Sequence, residues 1–390
     1  MEWGLIADDL TGGLDTGVAF VGRGVTQLRL PGAPDPKAPP ATLILDTESR
    51  ALSARDAAAC AAAAAAKLRA GRAARVYKKI DSTLRGPWAA ELEAVRQALA
   101  VPTVLIAPAF PALGRGTRGG RVYVGGVPLE ATPLQTSSRL LDHLAPLNVA
   151  VTPLHVTDLR AGETALASRL AAEREAGTAY VVADAERDDD LAILARAAAR
   201  AGVDRLSCGS GGMAAAWATL DGAPVSPRCE PLPRPCLVVA ASRHPVTHRQ
   251  VSRLATEGRP AVFWWSAAGS EQEAARLVTD LGVALRAGRT GLIATEATSG
   301  PAMPEVVARI ALALAAGLEQ SRPGSLLLTG GETAYRVLSA AGAEGVRLEG
   351  LCRPGIPRGV IEGGAWDGVA LVTKAGGFGD EEALVRLVGA

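Results

Sequence analysis

Short apolar runs, polar turns and stretches of helical spacing follow one another along almost the whole chain. Trp3-Gly4-Leu5-Ile6-Ala7 reads as a strand. Asp8-Asp9-Leu10-Thr11-Gly12-Gly13 then turns into a helix that carries Leu14, Val18 and Val21 and stops near Gly22 and Gly24. A second strand over residues 42–45 ends in Asp46-Thr47-Glu48-Ser49-Arg50, and an Ala-rich helix follows it. A third, over residues 75–77, runs into Lys78-Lys79-Ile80-Asp81-Ser82-Thr83-Leu84-Arg85-Gly86. Pro87, Trp88, Leu92, Val95 and Leu99 continue from there at helical spacing. Val104-Leu105-Ile106-Ala107 is a further buried strand. Strand, polar turn and helix repeated in this way predict a parallel sheet covered on both faces.

A long connection over residues 108–129 interrupts the rhythm. It is rich in Gly and Arg, and Phe110, Val122 and Tyr123 give it apolar anchors. Loops of that length in compact domains are generally functional or disordered, and the anchors favour order. Strands at 149–151 and 180–184, a helix at 163–175 and Cys208-Gly209-Ser210-Gly211-Gly212 opening a helix at 213–220 complete the first half. Pro224, Pro227, Pro231, Pro233 and Pro235 make residues 223–236 a semi-rigid linker. Strands at 237–241, 262–265, 291–294, 325–328 and 369–372 then restart the alternation, with helices at 248–254, 303–318 and 381–388. The expected fold is α/β with two domains, each a largely parallel sheet flanked by helices: residues 1–222 and 237–390.

Bulk properties narrow the partners. At 390 residues the chain is long for one core and suits two. A net charge of +1 argues against nucleic acid or a polybasic membrane surface. Five scattered cysteines with no C-x-x-C pair fit reduced thiols in a cytosol. The N-terminus lacks a basic region followed by an apolar run, and no apolar run reaches the ~18 residues a membrane helix needs. A cytoplasmic protein acting on small molecules is the expectation.

The polar turns hold the candidate chemistry. In open α/β sheets ligands bind beyond the carboxyl ends of the strands. Asp8 and Asp9 end the first strand there. Asp46, Ser49 and Arg50 end the second, and Lys78, Lys79, Asp81, Ser82 and Arg85 end the third. Cations suit a carboxylate and Asp side chains suit hydroxyls, so a small polyhydroxy acid fits turns that share a cleft. Asp8 or Asp9 could take a proton from an attacking hydroxyl, and one of the two could instead cap the following helix. In the second half, turns at Ser242, Gly330 and Gly376 bring small residues to helix starts, where backbone amides and the helix dipole favour phosphate. No P-loop, G-x-G-x-x-G fingerprint or G-x-S-x-G elbow is present. Of the four histidines only His244 lies in a candidate phosphate turn.

Five of these stretches together resemble one family. They are Ile6-Ala7-Asp8-Asp9-Leu10-Thr11-Gly12, Lys79-Ile80-Asp81-Ser82-Thr83-Leu84-Arg85-Gly86, Pro108-Ala109-Phe110-Pro111, Thr329-Gly330-Gly331-Glu332-Thr333 and Lys374-Ala375-Gly376-Gly377-Phe378-Gly379-Asp380. Their order and content are similar to the four-carbon acid sugar kinases, which act on 3-oxo-tetronate, threonate or erythronate. The resemblance implies an N-terminal sugar-acid-binding domain, a C-terminal nucleotide-binding domain and ATP-dependent phosphorylation of a terminal hydroxyl, with Mg2+ on the phosphates. Asp8, Asp9, Arg50, Lys79, Asp81 and Arg85 would then surround the acid. Ser242, His244, Thr329, Gly330, Gly331, Glu332, Thr333, Gly376 and Gly377 would hold ATP. Two departures stand out. Ala241-Ser242-Arg243-His244 replaces the family's Gly-Ser-Cys-Ser, and residues 130–139 lack an Asp-Pro pair and look shortened. A kinase for another small hydroxy acid and a non-catalytic sensor stay open as alternatives, as does the oligomeric state, a homodimer included.

Overall fold

The computed structural model describes residues 1–220, 230–242, 244–258, 260–266, 270–295, 303–318 and 321–389. Most of the Pro-rich linker, residues 223–229, and Arg243 lie outside the described residues. The chain divides into two compact units. One comprises Met1–Thr26 with Pro36–Pro224, the other Gln27–Asp35 with Val225–Ala390.

In chain order the strands are β1 (Trp3–Ala7), β2 (Thr26–Arg29), β3 (Thr42–Asp46), β4 (Arg75–Lys79), β5 (Val104–Ala107), β6 (Arg115–Arg118), β7 (Arg121–Val124), β8 (Val127–Pro128), β9 (Val151–Leu154), β10 (Tyr180–Ala183), β11 (Leu206–Gly209), β12 (Cys236–Ala240), β13 (Ala261–Trp265), β14 (Gly291–Thr295), β15 (Ser325–Thr329), β16 (Gly345–Arg353), β17 (Ile356–Glu362) and β18 (Ala370–Lys374). The helices are α1 (Leu10–Gly17), α2 (Ala54–Ala70), α3 (Trp88–Leu99), α4 (Leu140–Leu144), α5 (Val156–Arg160), α6 (Glu163–Glu175), α7 (Asp188–Ala201), α8 (Gly211–Ala218), α9 (Pro245–Glu257), α10 (Glu271–Arg286), α11 (Met303–Gly317), α12 (Gly331–Ala340) and α13 (Ala383–Val388).

The sheet of the first unit runs β3-β1-β4-β11-β5-β10-β9, all parallel. Its inner strands are buried on both faces, as continuous apolar runs such as Val104-Leu105-Ile106-Ala107 require, while edge strand β9 buries only Leu154. On one face, Ile6 and Val76 join Leu68 of α2 and Leu92 and Val95 of α3 in a single core. The register sets the site. Ala7 stands opposite Asp46 on one side and Lys79 on the other, so the turns after β1, β3 and β4 leave the sheet at one level.

Residues 108–129 depart from the expected long loop. β6, β7 and β8 form a small antiparallel sheet, pinned where the Asp184 carboxylate accepts from the amides of Gly119 and Gly120 at 2.7 and 2.9 Å. The strand expected at 149–151 lies at Val151–Leu154 instead, set by pairing with β10.

The second unit orders its sheet β13-β14-β12-β15-β18, parallel, followed by antiparallel β17 and β16. Gln27, Leu28 and Arg29 of β2 pair with β16, so a piece of the first half of the chain belongs to this sheet. The β16–β17 hairpin is an addition to the expected parallel sheet. Ala240, Thr329 and Lys374 are register partners in the adjacent strands β12, β15 and β18. The turns that begin at Ala241, Gly330 and Ala375 therefore emerge side by side.

Candidate active site

Arg50 organises the edge of the first unit. Its Nε and Nη2 donate to the two oxygens of Asp8 at 2.8 Å each, and Nη1 and Nη2 donate to the two oxygens of Asp9 at 3.0 and 2.6 Å. The amides of Ser49 and Arg50 also donate to the carbonyl of Asp8, which locks the turn after β3 onto the turn after β1. Burial opposes the charge on Asp8, yet Arg50, Lys78 and Lys79 hold its carboxyl below the ordinary range. Asp9 is also the N-cap of α1, accepting from the amide of Gly12 at 3.1 Å. Thus one of the paired acids caps the helix.

The third turn joins the same cluster. Burial works against a charged Asp81, but Arg85, Arg50 and the Thr83 hydroxyl hold its carboxyl well down. Thr83 Oγ1 donates to Asp81 Oδ2 at 2.5 Å, and Arg85 Nε pairs with the same oxygen. Gly86 has φ +83°, and a β-carbon there would stand 3.1 Å from both Cγ and the carbonyl of Arg50. Glycine is needed at that position for the backbone conformation and for room. Lys79 points toward α1, its Nζ 2.9 Å from where a β-carbon on Gly12 would sit. Arg115, at the start of β6, donates to Ser82 Oγ. Arg115 also lines a pocket of about 360 Å3 with Arg118, Tyr123 and Glu186.

Three residues assigned from sequence to the substrate are turned away from the cluster. Successive side chains of a strand face opposite ways, so Lys78 projects under the sheet where Lys79 does not. Lys78 is fully buried, with Nζ 3.0 Å from Glu91 of α3 and 2.8 Å from the carbonyl of Lys79. Ser49 is also fully buried and donates to Glu91. Asp46 sits beneath its own turn, where it accepts from the amide of Glu48 at 3.1 Å. Burial and the neighbouring Glu48 raise its carboxyl well above the usual range, which favours the protonated form.

Asp15 is a member of the cluster that sequence reasoning missed. It lies one turn along α1 from Gly12 and Thr11, the spacing that places it on the same helix face. Its Oδ2 is 3.5 Å from where a β-carbon at Gly211 would sit. Burial raises its carboxyl to about 6, with Lys79 and Arg115 pulling down and Asp9 pushing up.

The second unit assembles a different surface. Ser242 Oγ lies 2.7 Å from the site of a β-carbon on Gly376, and Ser242 Cβ lies 3.7 Å from one on Gly330. The turns after β12, β15 and β18 therefore touch at Ser242. Ser242 Oγ accepts from the amide of His244 at 3.2 Å, and His244 Nδ1 caps α9 by accepting from Val246 at 3.2 Å. His244 Nε2 faces Gly377, 3.0 Å from its β-carbon position. Gly330 takes φ +94° at the head of α12, with Gly331 the first helical residue. Thr329 and Thr333 are buried beneath the turn, and Thr329 Oγ1 points at the carbonyl of Val239, 3.5 Å away. Glu332 instead faces outward, paired with Arg336 at 2.6 Å.

Comparison with known proteins agrees with this division. The sequence matches the models of a sugar-binding N-terminal domain over residues 3–217 and a nucleotide-binding C-terminal domain over residues 237–384. It is 36% identical to a D-threonate kinase of Bordetella bronchiseptica, with 98% of this chain and 96% of the relative covered. The chain belongs to the four-carbon acid sugar kinase family. A 3-oxo-tetronate kinase of Cupriavidus necator is 30% identical over 99% of this chain and 97% of its own length. A Salmonella typhimurium structure titled as a putative tRNA synthase superposes with a TM-score of 0.83 at 23% identity, covering 99% of this chain and 98% of that one, and shares the fold. The kinase thus carries an acid-and-cation cluster in its sugar-binding domain and converging glycine turns in its nucleotide-binding domain.

Proposed function

We propose that this kinase transfers the terminal phosphoryl group of ATP to the terminal hydroxyl of a four-carbon acid sugar, D-threonate. The observation that carries the reading is the cluster around Arg50, where fixed cations and hydrogen-bond acceptors stand together at the edge of the sugar-binding domain. Lys79, Arg85 and Arg115 supply charge for the acid's carboxylate, and Asp8, Asp9 and Asp81 supply acceptors for its hydroxyls.

Read from sequence alone, Asp8 or Asp9 would be the base. Both give their oxygens to Arg50, so their proposed part is to orient Arg50 and the hydroxyls. Asp15, raised to about 6 beside Lys79, has the basicity suited to receive the proton as the hydroxyl oxygen bonds to phosphorus and ADP leaves. Ser242, Gly330, Gly376 and Gly377 would hold the phosphates. Magnesium would travel with the nucleotide, bound mostly by phosphate oxygens and water. D-threonate is favoured over 3-oxo-tetronate because the D-threonate kinase is the more similar relative, 36% against 30%.

The test is ADP release from MgATP across D-threonate, D-erythronate, their 3-oxo forms and glycerate. Highest kcat/KM on D-threonate is expected. Turnover only on a three-carbon acid, or on none, contradicts the proposal.

A further inference from the structure

Lys374 ends β18 inside the turn that carries Gly376 and Gly377. It is fully buried, yet its Nζ meets carbonyl oxygens only: Ala375 at 3.0 Å, Phe378 at 3.1 Å and Gly376 at 3.4 Å. Helix α9 grips the same loop from its other side. Thr247 donates to the Gly376 carbonyl at 2.8 Å, and Gln250 donates to the carbonyls of Phe378, Gly379 and Asp380 at 3.0, 3.2 and 2.7 Å. The carbonyls of the loop are thereby drawn inward. Among the described residues the amides of Gly376 and Gly377 find no acceptor, and Ser242 and His244 lie against these two glycines.

A buried ammonium without a carboxylate is costly unless an anion compensates it. The charged groups around the loop are engaged elsewhere: Asp380 pairs with Arg386, Glu381 with Arg249 and Glu332 with Arg336. His244 uses Nδ1 to cap α9. On the reading of this domain as the nucleotide site, we propose that Lys374 is the fixed positive charge of the phosphate subsite, acting through the loop whose amides it turns outward. Phosphate on the Gly376–Gly377 amides then supplies the missing counter-charge. Burial alone lowers the ammonium to about 8 in the free chain. A bound phosphate favours the charged form, so binding draws in a proton near that pH.

Calorimetric titration of ADP at pH 8, in two buffers of different ionisation enthalpy, tests this. The wild-type chain takes up about half a proton on binding ADP, and none on binding adenosine. Lys374→Met loses the uptake and weakens ADP by about 10- to 100-fold while adenosine binds as before. Lys374→Arg keeps a charge that cannot be shed and binds ADP without uptake. ADP binding to wild type without proton uptake overturns the assignment, as does an equal loss of ADP and adenosine in Lys374→Met. A wild-type chain that binds neither ADP nor ATP overturns the nucleotide reading itself, and this assignment with it.

Discussion

Lys78 and Lys79 leave one strand on opposite faces. Lys78 ends in a sealed ion pair with Glu91, and Lys79 ends beside Gly12 at the head of α1. The two substitutions should therefore separate. Lys78→Met strands a buried carboxylate and should cost about 3–5 kcal/mol of stability. Lys78→Met with Glu91→Leu should recover much of that. Lys79→Met should cost less stability than Lys78→Met and raise the KM for the acid by roughly 10- to 100-fold. Thermal denaturation and steady-state kinetics on the three variants check the contrast.

Asp15→Asn should lower kcat by about 10²- to 10⁴-fold, the usual range for loss of a positioned base. Wild-type kcat should rise with pH through about 6, and this limb should vanish in the variant. Stability should move the other way. The folded carboxyl holds its proton up to about 6 and the unfolded one only to its ordinary value near 4. Between those values the folded state binds more protons, so stability falls as pH rises through the window. Asp15→Asn should consequently melt higher than wild type at pH 7.

Gly86→Ala introduces a β-carbon 3.1 Å from Arg50 at a positive φ. It should destabilise by roughly 1–3 kcal/mol and also raise the KM for the acid, since Arg50 must shift. Gly114 also has positive φ, but nothing lies within 4 Å of its β-carbon position. Gly114→Ala should show the backbone cost without the change in KM.

Asp81 gives a pH signature of the opposite sign. Its folded carboxyl is held below the ordinary range by Arg85, Arg50 and Thr83 despite burial. The unfolded state binds the proton first as pH falls. The contribution is therefore complete above the ordinary carboxylate range and is lost in acid. Stability measured from pH 5 to pH 3 should fall less steeply in Arg85→Met than in wild type.

Most of the parallel sheet was legible because its strands are short apolar runs ending in polar turns. The turns after β1, β3 and β4 could be named as one site, and the register brings them to one level. What the residues did not reveal was direction. Lys78 and Ser49 carry the right chemistry, but strand alternation and the distant partner Glu91 place them in the interior. Asp15 sits in an ordinary helix pattern, and only the approach of Lys79 and Arg115 distinguishes it. β6 to β8 read as loop because strands of two to four residues rich in Gly and Arg carry little periodicity. β2 and the β16–β17 hairpin escaped for a related reason. The pairing of β2 with β16 is long-range, between residue 27 and residue 347, and local pattern says nothing about it, while the hairpin itself pairs locally but with register shifts at Gly350 and Arg353 that blur its alternation.

The most direct test of the account is the identity of the product. The chain, incubated with MgATP and D-threonate, is followed by phosphorus NMR. The account predicts ADP together with an equal amount of one new phosphomonoester, its resonance split by the two protons of a terminal CH2. ADP with inorganic phosphate and no phosphomonoester, or an ester on an internal carbon, would contradict it.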